Sequence, residues 1–501
     1  MGCIKVGDMP PPGMGVPTTS GGSTTSGGTA SAPVATPPTA TKVCSTCNQV
    51  LVQFRPHATY GGEFGFDWIR VGDTAIYGDA LPYADFTTSP ISYNMLGKYY
   101  ENSVTNSSGV VNYSTPITSP NGWKVCTTTT TNSAGVSRTV KKIVANCVGG
   151  TESIHWKVSP TQYNTLTQRF KTLSIPWKRA IDSNFTYYVP LIALMPDEEI
   201  NNADGTISII QGNSAKLAVH IEVSIASSHI KLRPARKNTG VEFKVDGVIG
   251  DNLTIKKGVH DAHLEIRCTQ ALTSNLDVDV YADDKLSGRF TLLQNDNSVV
   301  VKKKVLLVEV ESDCNGSKVN GTPISGGEDL LKDCLQQALI KGELELYVKK
   351  LDVTSSKTGK RHEFRNKFAE LVGSDYVIKK NARFLLGYLN SKFSSQFSTV
   401  SYDYIVYFIG EPGGWNGFAQ PHERAGVYFP THSKSTIAHE LFHAMGLPHT
   451  FTNKEGDGNA HFTYKATMTS NLMDYSHFKN KDRFLIYHWQ WKILNPRIPN
   501  A

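Results

Sequence analysis

The order of apolar and polar positions divides the chain into two kinds of segment. Between residues 153 and 297, short segments alternate apolar with polar side chains, and turn residues separate them at intervals of about ten to twelve residues. The clearest of these segments are 215–223, 240–248, 252–256, 262–268, 276–282 and 288–293. Because successive side chains of a strand point to opposite faces of a sheet, this pattern predicts a β-sandwich.

After residue 300 the apolar residues form continuous runs instead. Such runs predict strands at 303–311, 344–353, 402–409 and 425–429, and the first of these is typical of a buried strand. Helical spacing predicts helices at 327–340, over most of 367–396, and at 482–494. Strands that alternate with helices indicate an α+β arrangement, in which helices pack against a mixed sheet.

With 501 residues the chain is too long for a single hydrophobic core. We predict a disordered Pro/Gly/Ser/Thr-rich tail at 1–47, which cannot bury enough apolar surface to fold. A β-rich N-terminal domain at 48–152 is expected next, followed by the β-sandwich at 153–299, which would be immunoglobulin-like without that fold's cysteine pair. The last segment, 300–501, contains its own predicted sheet and helices, so we expect it to fold by itself.

Composition argues against some classes of function. The net charge of +7 is mild and the lysines are scattered, so binding to nucleic acid is not expected. No apolar stretch is long enough to predict a membrane span, and the N-terminus lacks the apolar run of a signal peptide. The eight cysteines are too few and too dispersed for a disulfide-rich scaffold. Cys44 and Cys47 could bind a metal, with a local disulfide or free thiols as the simpler alternatives.

One short stretch carries recognisable chemistry: His439-Glu440-Leu441-Phe442-His443-Ala444-Met445-Gly446-Leu447-Pro448-His449. On a helical wheel with His439 at zero, His443 lies at about 40° and Glu440 at about 100°. Two histidines on one helical face can bind a single metal ion, and the adjacent glutamate can accept a proton from water. Gly446 allows the backbone to leave the helix, so that His449 can become a third ligand.

This HExxHxxGxxH sequence, with the later Asn471-Leu472-Met473-Asp474-Tyr475, resembles the metzincin family of zinc endopeptidases. The resemblance implies a metzincin-like catalytic domain with one Zn²⁺ per chain. It implies that His439, His443 and His449 bind this zinc. It also implies that Glu440 is the general base of peptide hydrolysis.

The same resemblance implies roles for two residues after the third histidine. Met473 would lie in a tight turn beneath the metal, where its thioether contributes apolar packing rather than a ligand. In astacin-like and serralysin-like members a tyrosine at the position of Tyr475 reaches the zinc, which implies a catalytic role in binding the oxyanion. A Tyr475 that is merely packed or hydrogen-bonded is the alternative.

A second resemblance concerns the other end of the chain. The stretch Phe54-Arg55-Pro56, followed by GGEFGFDW at 61–68, is similar to N-terminal regions of predicted type VI secretion effectors of bacteria. This implies a toxin or effector that is made in the cytoplasm, exported by a specialised secretion system, and active outside the producing cell. The implied partners are a peptide or protein substrate and, through the N-terminal region, a component of the secretion machinery.

Two other functions fit the same residues. A zinc hydrolase that acts on cell-wall peptides would use the same activation of water, because specificity depends on the shapes of the surrounding loops. A binding or delivery protein with a vestigial protease unit is the other alternative. Against it, every catalytic position of the motif is intact.

Overall fold

The computed structural model describes residues 49–69, 96–100, 103–105, 111–113, 124–131, 137–144, 151–152, 155–181, 185–226, 229–237, 240–246, 256–358, 362–379, 382, 384–420, 423–451, 462–465, 469–476 and 482–500. Across these residues the protein is β-rich, with several sheets and few helices. The predicted tail at 1–47, with Cys44 and Cys47, lies outside the described residues, as does nearly all of the predicted strand 252–256.

The strands are β1 Gln49–Pro56, β2 Gly65–Asp67, β3 Gly97–Tyr100, β4 Ser103–Thr105, β5 Val111–Tyr113, β6 Lys124–Thr131, β7 Ser137–Val144, β8 Thr151–Glu152, β9 His155–Val158, β10 Thr172–Leu173, β11 Tyr187–Tyr188, β12 Leu191–Ala193, β13 Glu198–Asn201, β14 Ile207–Ile210, β15 Ser214–Ile225, β16 Ile230–Pro234, β17 Val241–Asp246, β18 Gly258–Cys268, β19 Leu276–Ala282, β20 Lys285–Leu292, β21 Val301–Ser312, β22 Val319–Asn320, β23 Ile340–Asp352, β24 Ala369–Val372, β25 Asp375–Ile378, β26 Tyr404–Ile409, β27 Gly417–Gln420 and β28 Ala425–Tyr428. The helices are α1 Pro160–Thr167, α2 Pro176–Ile181, α3 Gly327–Gln337, α4 Ser355–Thr358, α5 Glu363–Phe368, α6 Leu385–Gln396, α7 Lys434–Ala444 and α8 His488–Leu494. None of these helices is long and apolar enough to cross a membrane.

Two sheets face each other in the first half of the described chain. One has the strand order β1-β15-β18-β17 and the other has the order β16-β19-β20-β12-β2. They meet through apolar side chains such as Phe54 on β1 and Phe290 on β20, whose ring centroids are 5.0 Å apart. The predicted alternation is confirmed in β19, where every second residue is buried. Strands β1 and β2 come from the predicted N-terminal domain, and they pair with β15 and β12.

The second half contains a mixed sheet. Strands β23, β21, β26 and β28 lie side by side and parallel, and β27 pairs antiparallel with β28 at one edge. Alternate residues of β21 enter different cores: Val305 and Leu307 share a core with α3 and α7, whereas Leu306 and Val308 share one with α5 and α6. Helices on both faces explain why the sequence of β21 is a continuous apolar run.

Most elements predicted for this half are confirmed with shifted ends. These are the strands predicted at 303–311, 344–353, 402–409 and 425–429 and the helix predicted at 327–340.

Two expectations for this half were wrong. Residues 367–396 are not mostly helical, because a tight turn at Gly373, with φ of 65°, folds β24 and β25 into a hairpin between α5 and α6. The closing helix α8 begins at His488 rather than at residue 482. Strand β28, directly before α7, lies inside the sheet, since β27 pairs with its outer side and supplies the edge.

One hydrophobic core runs across the predicted boundary at residue 300 and joins the two halves. Gln337, the last residue of α3, donates a hydrogen bond of 2.9 Å from Nε2 to the carbonyl of Gly62. The amide of His488, at the start of α8, donates one of 2.7 Å to Oδ2 of Asp67. Gly65 approaches this surface so closely that an added Cβ would lie 2.7 Å from the carbonyl oxygen of Gln337. The segment 60–68 therefore packs between the sandwich and the mixed sheet's helices.

Candidate metal centre

Helix α7 holds the first two histidines of the motif. It begins at a capping box in which Ser433 and Thr436 satisfy each other's backbone amides. Its side chains are buried along most of its length, because it packs against both the sheet and α3. After the last turn Gly446 takes φ of 99°, a conformation that side chains rarely tolerate. The backbone leaves helix α7 at Gly446, and the residues that follow bring His449 back toward the helix.

The three histidines meet at their Nε2 atoms. Nε2 of His443 lies 3.2 Å from Nε2 of His439 and 3.0 Å from Nε2 of His449. Two nitrogens bound to one zinc at 2.0–2.1 Å with tetrahedral angles would be about 3.3 Å apart, so the observed spacing fits this metal. Within the described ranges, no other group of three His, Cys, Asp or Glu side chains brings its ligand atoms within 4.8 Å of one another.

The opposite ring nitrogens of the helical histidines are fixed by backbone carbonyls. Nδ1 of His439 lies 2.7 Å from the carbonyl oxygen of Leu472, and Nδ1 of His443 lies 2.7 Å from that of Leu447. Because a carbonyl only accepts, each Nδ1 must carry the proton and donate it. Each Nε2 then keeps a free lone pair that is directed at the common point, as a metal ligand requires.

Burial also keeps these imidazoles neutral. It lowers the pKa of His443 to about 4, and it lowers the pKa of His439 and of His449 well below the usual range. The neighbouring histidines and the Arg483 cation lower the pKa of His439 and His449 further. Neutral imidazoles at neutral pH are available to a cation without first losing a proton.

The turn that contains Met473 also contains Leu472, whose carbonyl accepts the hydrogen bond from Nδ1 of His439. The amide of Asp474 donates to the carbonyl of Asn471 at 3.0 Å, which closes a turn around Leu472 and Met473. The Asn471 side chain holds the turn from inside: its Oδ1 accepts from the Met473 amide at 2.9 Å, and its Nδ2 donates to Gln490 at 2.6 Å. Met473 is fully buried, so its thioether is part of the hydrophobic core that also contains Leu441 and Phe442 of α7.

Arg483 joins the Met473 turn to helix α7. This residue lies outside the histidine motif, which does not predict its role. Its guanidinium donates to the carbonyl of Asp474 at 2.9 Å and to Oγ of Ser435, on the first turn of α7, at 2.8 Å. Its Nη1 also lies 3.4 Å from Nδ1 of His439. Burial lowers the pKa of Arg483 only to about 10, so it stays charged at neutral pH. No local pattern could have predicted this residue, because its partners lie far away in the sequence.

Glu440 lies beside the first histidine on α7. Burial raises the pKa of its carboxyl to about 8, and the Arg483 charge opposes this only in part. The edge strand begins directly over it: a Cβ added to Gly417 would lie 3.3 Å from Cγ of Glu440 and 2.8 Å from the carbonyl oxygen of Val427. Glycine at this position therefore lets β27 pass close to the carboxylate.

Tyr475 lies next to the histidine cluster. Its ring centroid is 4.8 Å from that of His449 in an edge-on arrangement and 5.7 Å from that of His439. Phe451 packs against both Tyr475 and His449. Burial raises the pKa of the Tyr475 hydroxyl far above its usual range, so the phenol keeps its proton and can donate a hydrogen bond.

No known family model matches this chain, and no curated protein matches it in sequence. The structure brings together the site residues of the histidine motif and of the Met473 turn. The three histidines converge, Glu440 and Tyr475 flank them, and Met473 lies in the turn that anchors His439. Chemically, such an arrangement can hold a divalent cation next to a proton acceptor and a hydrogen-bond donor.

Proposed function

We propose that this protein is a zinc-dependent endopeptidase with one Zn²⁺ per chain, bound by His439, His443 and His449. The observation that carries the proposal is the convergence of three Nε2 atoms, in which that of His443 lies 3.0–3.2 Å from the other two. Carbonyls fix the opposite nitrogen of His439 and His443. Three protein ligands leave a fourth position open, which is typical of catalytic rather than structural zinc.

Glu440 is the proposed general base and acid. When bound, zinc would lower the pKa of a water in its open position to roughly 7 and, as a nearby positive charge, would favour the ionised form of Glu440. The Glu440 carboxylate accepts a proton from the attacking water as the new carbon–oxygen bond forms. It then delivers that proton to the nitrogen of the departing amine, so the carboxylate is regenerated in each cycle.

Tyr475 is the proposed donor to the oxyanion. The developing negative charge on the carbonyl oxygen of the scissile bond needs a positioned hydrogen-bond donor. The Tyr475 hydroxyl is protonated, and its ring lies against His449. The same position would allow the phenol to approach the metal in the resting enzyme, as the resemblance to astacin-like and serralysin-like members implies.

The edge strand β27 is the proposed binding site for an extended peptide. Within the described part of the chain β27 pairs only with β28, so its outer edge offers main-chain donors and acceptors. Its first residue, Gly417, lies over Glu440. A peptide that pairs with this edge would therefore pass the carboxylate, and main-chain pairing would hold many different sequences.

We further propose a metzincin-like fold for the second half and an immunoglobulin-like sandwich for the first. Support for the former is that the mixed sheet, helix α7 and the Met473 turn surround the histidines in the manner that the motif implies. Support for the latter is the pair of facing sheets with alternating burial.

The resemblance at residues 54–68 supports a proposal about biological context. On this proposal the protein is an exported bacterial effector, of the type VI kind, that acts on a peptide or protein outside the producing cell. Its N-terminal region would contact the secretion machinery. Export and contact with the secretion machinery are proposed independently of the zinc chemistry, because the two proposals rest on different residues.

Metal analysis combined with peptide digestion tests the function. The purified chain should contain one zinc per molecule and cleave members of a library of linear peptides, and a chelator should abolish cleavage until zinc is restored. Cleavage of cell-wall stem peptides alone would instead favour the cell-wall hydrolase. Zinc without any cleavage would favour a vestigial unit.

A matched pair of variants tests the ligand assignment. His443→Ala removes an Nε2 from the centre of the cluster and should lose most of the zinc, because two histidines bind the metal far more weakly than three. His432→Ala removes a buried histidine that lies outside the cluster and should keep the metal. Full zinc occupancy in His443→Ala would contradict the assignment.

A further inference from the structure

The third histidine depends on residues outside α7 for its position. His439 and His443 lie within the helix, whereas His449 follows the turn at Gly446. The backbone of the next residue, Thr450, is held from two sides. Its amide donates to the carbonyl of Met473 at 3.3 Å, and its carbonyl accepts from the amide of Tyr464 at 2.7 Å.

The segment that contains Tyr464 is in turn held by the N-terminal part of the chain. Leu96 pairs with Tyr464 in an antiparallel bridge, and the amide of Gly97 donates to the carbonyl of Thr463 at 3.1 Å. Leu96 is fully buried, and its own carbonyl accepts from the amide of Ser159, which caps helix α1, at 2.8 Å.

A single side chain on α1 links these two segments. Oε1 of Gln162 accepts from the amide of Thr463 at 2.8 Å, and its Nε2 donates to the carbonyl of Gly97 at 3.0 Å. The side-chain amide of Gln162 thus pairs with the backbone N–H of Thr463 and with the backbone carbonyl of Gly97, next to the bridge between Leu96 and Tyr464. The hydrogen bond between Gln162 and Thr463 therefore joins helix α1 directly to the segment 462–465, which follows His449 in the sequence.

We propose that Gln162 is a positioning residue for the third metal ligand. The proposal rests on the proposed zinc site and extends it to a region that contributes no ligand. The connection runs from Gln162 to Thr463, through the adjacent Tyr464 to Thr450, and so to His449. Residues that orient metal ligands without touching the metal typically change metal affinity by about 10- to 100-fold when they are replaced.

Two substitutions of Gln162 in the full chain separate its two contacts. Gln162→Met keeps the length of the side chain and removes both hydrogen bonds. Gln162→Glu keeps an oxygen that can accept from the Thr463 amide and loses the donor to Gly97. Gln168→Met makes the same chemical change at an exposed position that follows the same helix, and it serves as the matched control.

The readout is the dissociation constant for zinc, measured by competition with a chromophoric chelator, together with the visible spectrum of the cobalt(II)-substituted chain. We expect Gln162→Met to bind zinc about tenfold or more weakly and to alter the cobalt spectrum. Gln162→Glu should retain most of the affinity, and Gln168→Met should match the parent. Rescue by the glutamate separates positioning of the ligand from a general loss of stability.

The outcomes distinguish this proposal from the proposed function. If the parent chain binds no zinc, the proposed function itself fails. If the parent binds zinc and Gln162→Met binds it equally well, only the positioning role is overturned. If Gln162→Met does not fold, Gln162→Glu decides the matter: a zinc affinity as weak as that of a ligand mutant would contradict the role assigned to the Thr463 contact.

Discussion

The two halves of the protein use buried polar groups differently. In the sandwich they act locally: Asn295, for example, accepts from the Leu272 amide at 2.6 Å and donates to the Leu194 carbonyl at 2.8 Å, which holds neighbouring loops together. In the mixed-sheet half, buried polar groups around α7 are linked by hydrogen bonds into one connected set. Arg483 joins Ser435 to the Asp474 carbonyl in that set, and Asn471 joins the Met473 turn to Gln490.

This difference supports the proposal that the functional site surrounds α7. Buried polar groups are costly unless they are fully paired, so a connected set of them around a single helix needs a reason beyond packing. Here the set fixes the orientation of His439 and the turn beneath it. All three histidines of the cluster lie in the mixed-sheet half, so the sandwich supplies none of these candidate ligands.

The largest effect is expected when the two halves of the chain are separated. The sequence led us to expect that 300–501 folds by itself, but the shared core and the contacts of Gly62 and Asp67 lead us to expect the opposite. A fragment of 300–501 should be insoluble or free of metal, because it would expose the surface that segment 60–68 covers. Fragment 49–501 is the control and should bind zinc. A soluble fragment of 300–501 with full zinc would show that the halves are independent.

Removing the hydroxyl that lies beside the histidine cluster tests the role of Tyr475. Tyr475→Phe keeps the ring contacts with His449 and Phe451 and loses the donor to the oxyanion. We expect kcat to fall by about 10²–10³-fold with the zinc content unchanged. A rate equal to that of the parent would show that Tyr475 is packing alone. Loss of zinc would instead indicate that the phenol helps to bind the metal.

A smaller effect is expected at the junction between the halves, where the ionisation of Asp67 should make the free energy of unfolding depend on pH. Burial raises the pKa of Asp67 from 3.8 to about 7. Between these values the folded protein holds a proton that the unfolded chain has lost. The free energy of unfolding should therefore fall as pH rises through this window, by up to ~4 kcal/mol for a shift of this size.

Asp67→Asn should remove that part of the pH dependence, because the amide oxygen can still accept from His488 and does not ionise. Denaturant unfolding at pH 5 and pH 7.5 measures the difference, with the exposed Asp284 replaced by Asn as the control. An unchanged pH dependence in Asp67→Asn would show that this carboxyl ionises normally in the folded chain.

The sequence predicted the parts of this structure that rest on local pattern. Strand β21 and helix α3 follow from their apolar spacing, and the spacing of the histidines predicted their convergence. Edge strand β27 was missed because Gly417–Gln420 contains little apolar periodicity and is a strand through its pairing with β28. Arg483 and Gln162 were missed for the same physical reason: both act through contacts to distant residues that leave no local signature.

Glu440 is the proposed carrier of the proton in peptide hydrolysis, and Glu440→Gln isolates this role. Glutamine keeps the size of the side chain but cannot accept a proton, so the variant should bind zinc as tightly as the parent. Its rate on the same peptide should be lower by about 10²–10⁴-fold or more. If Glu440→Gln contains full zinc and cleaves the peptide as fast as the parent, the proposed mechanism is wrong.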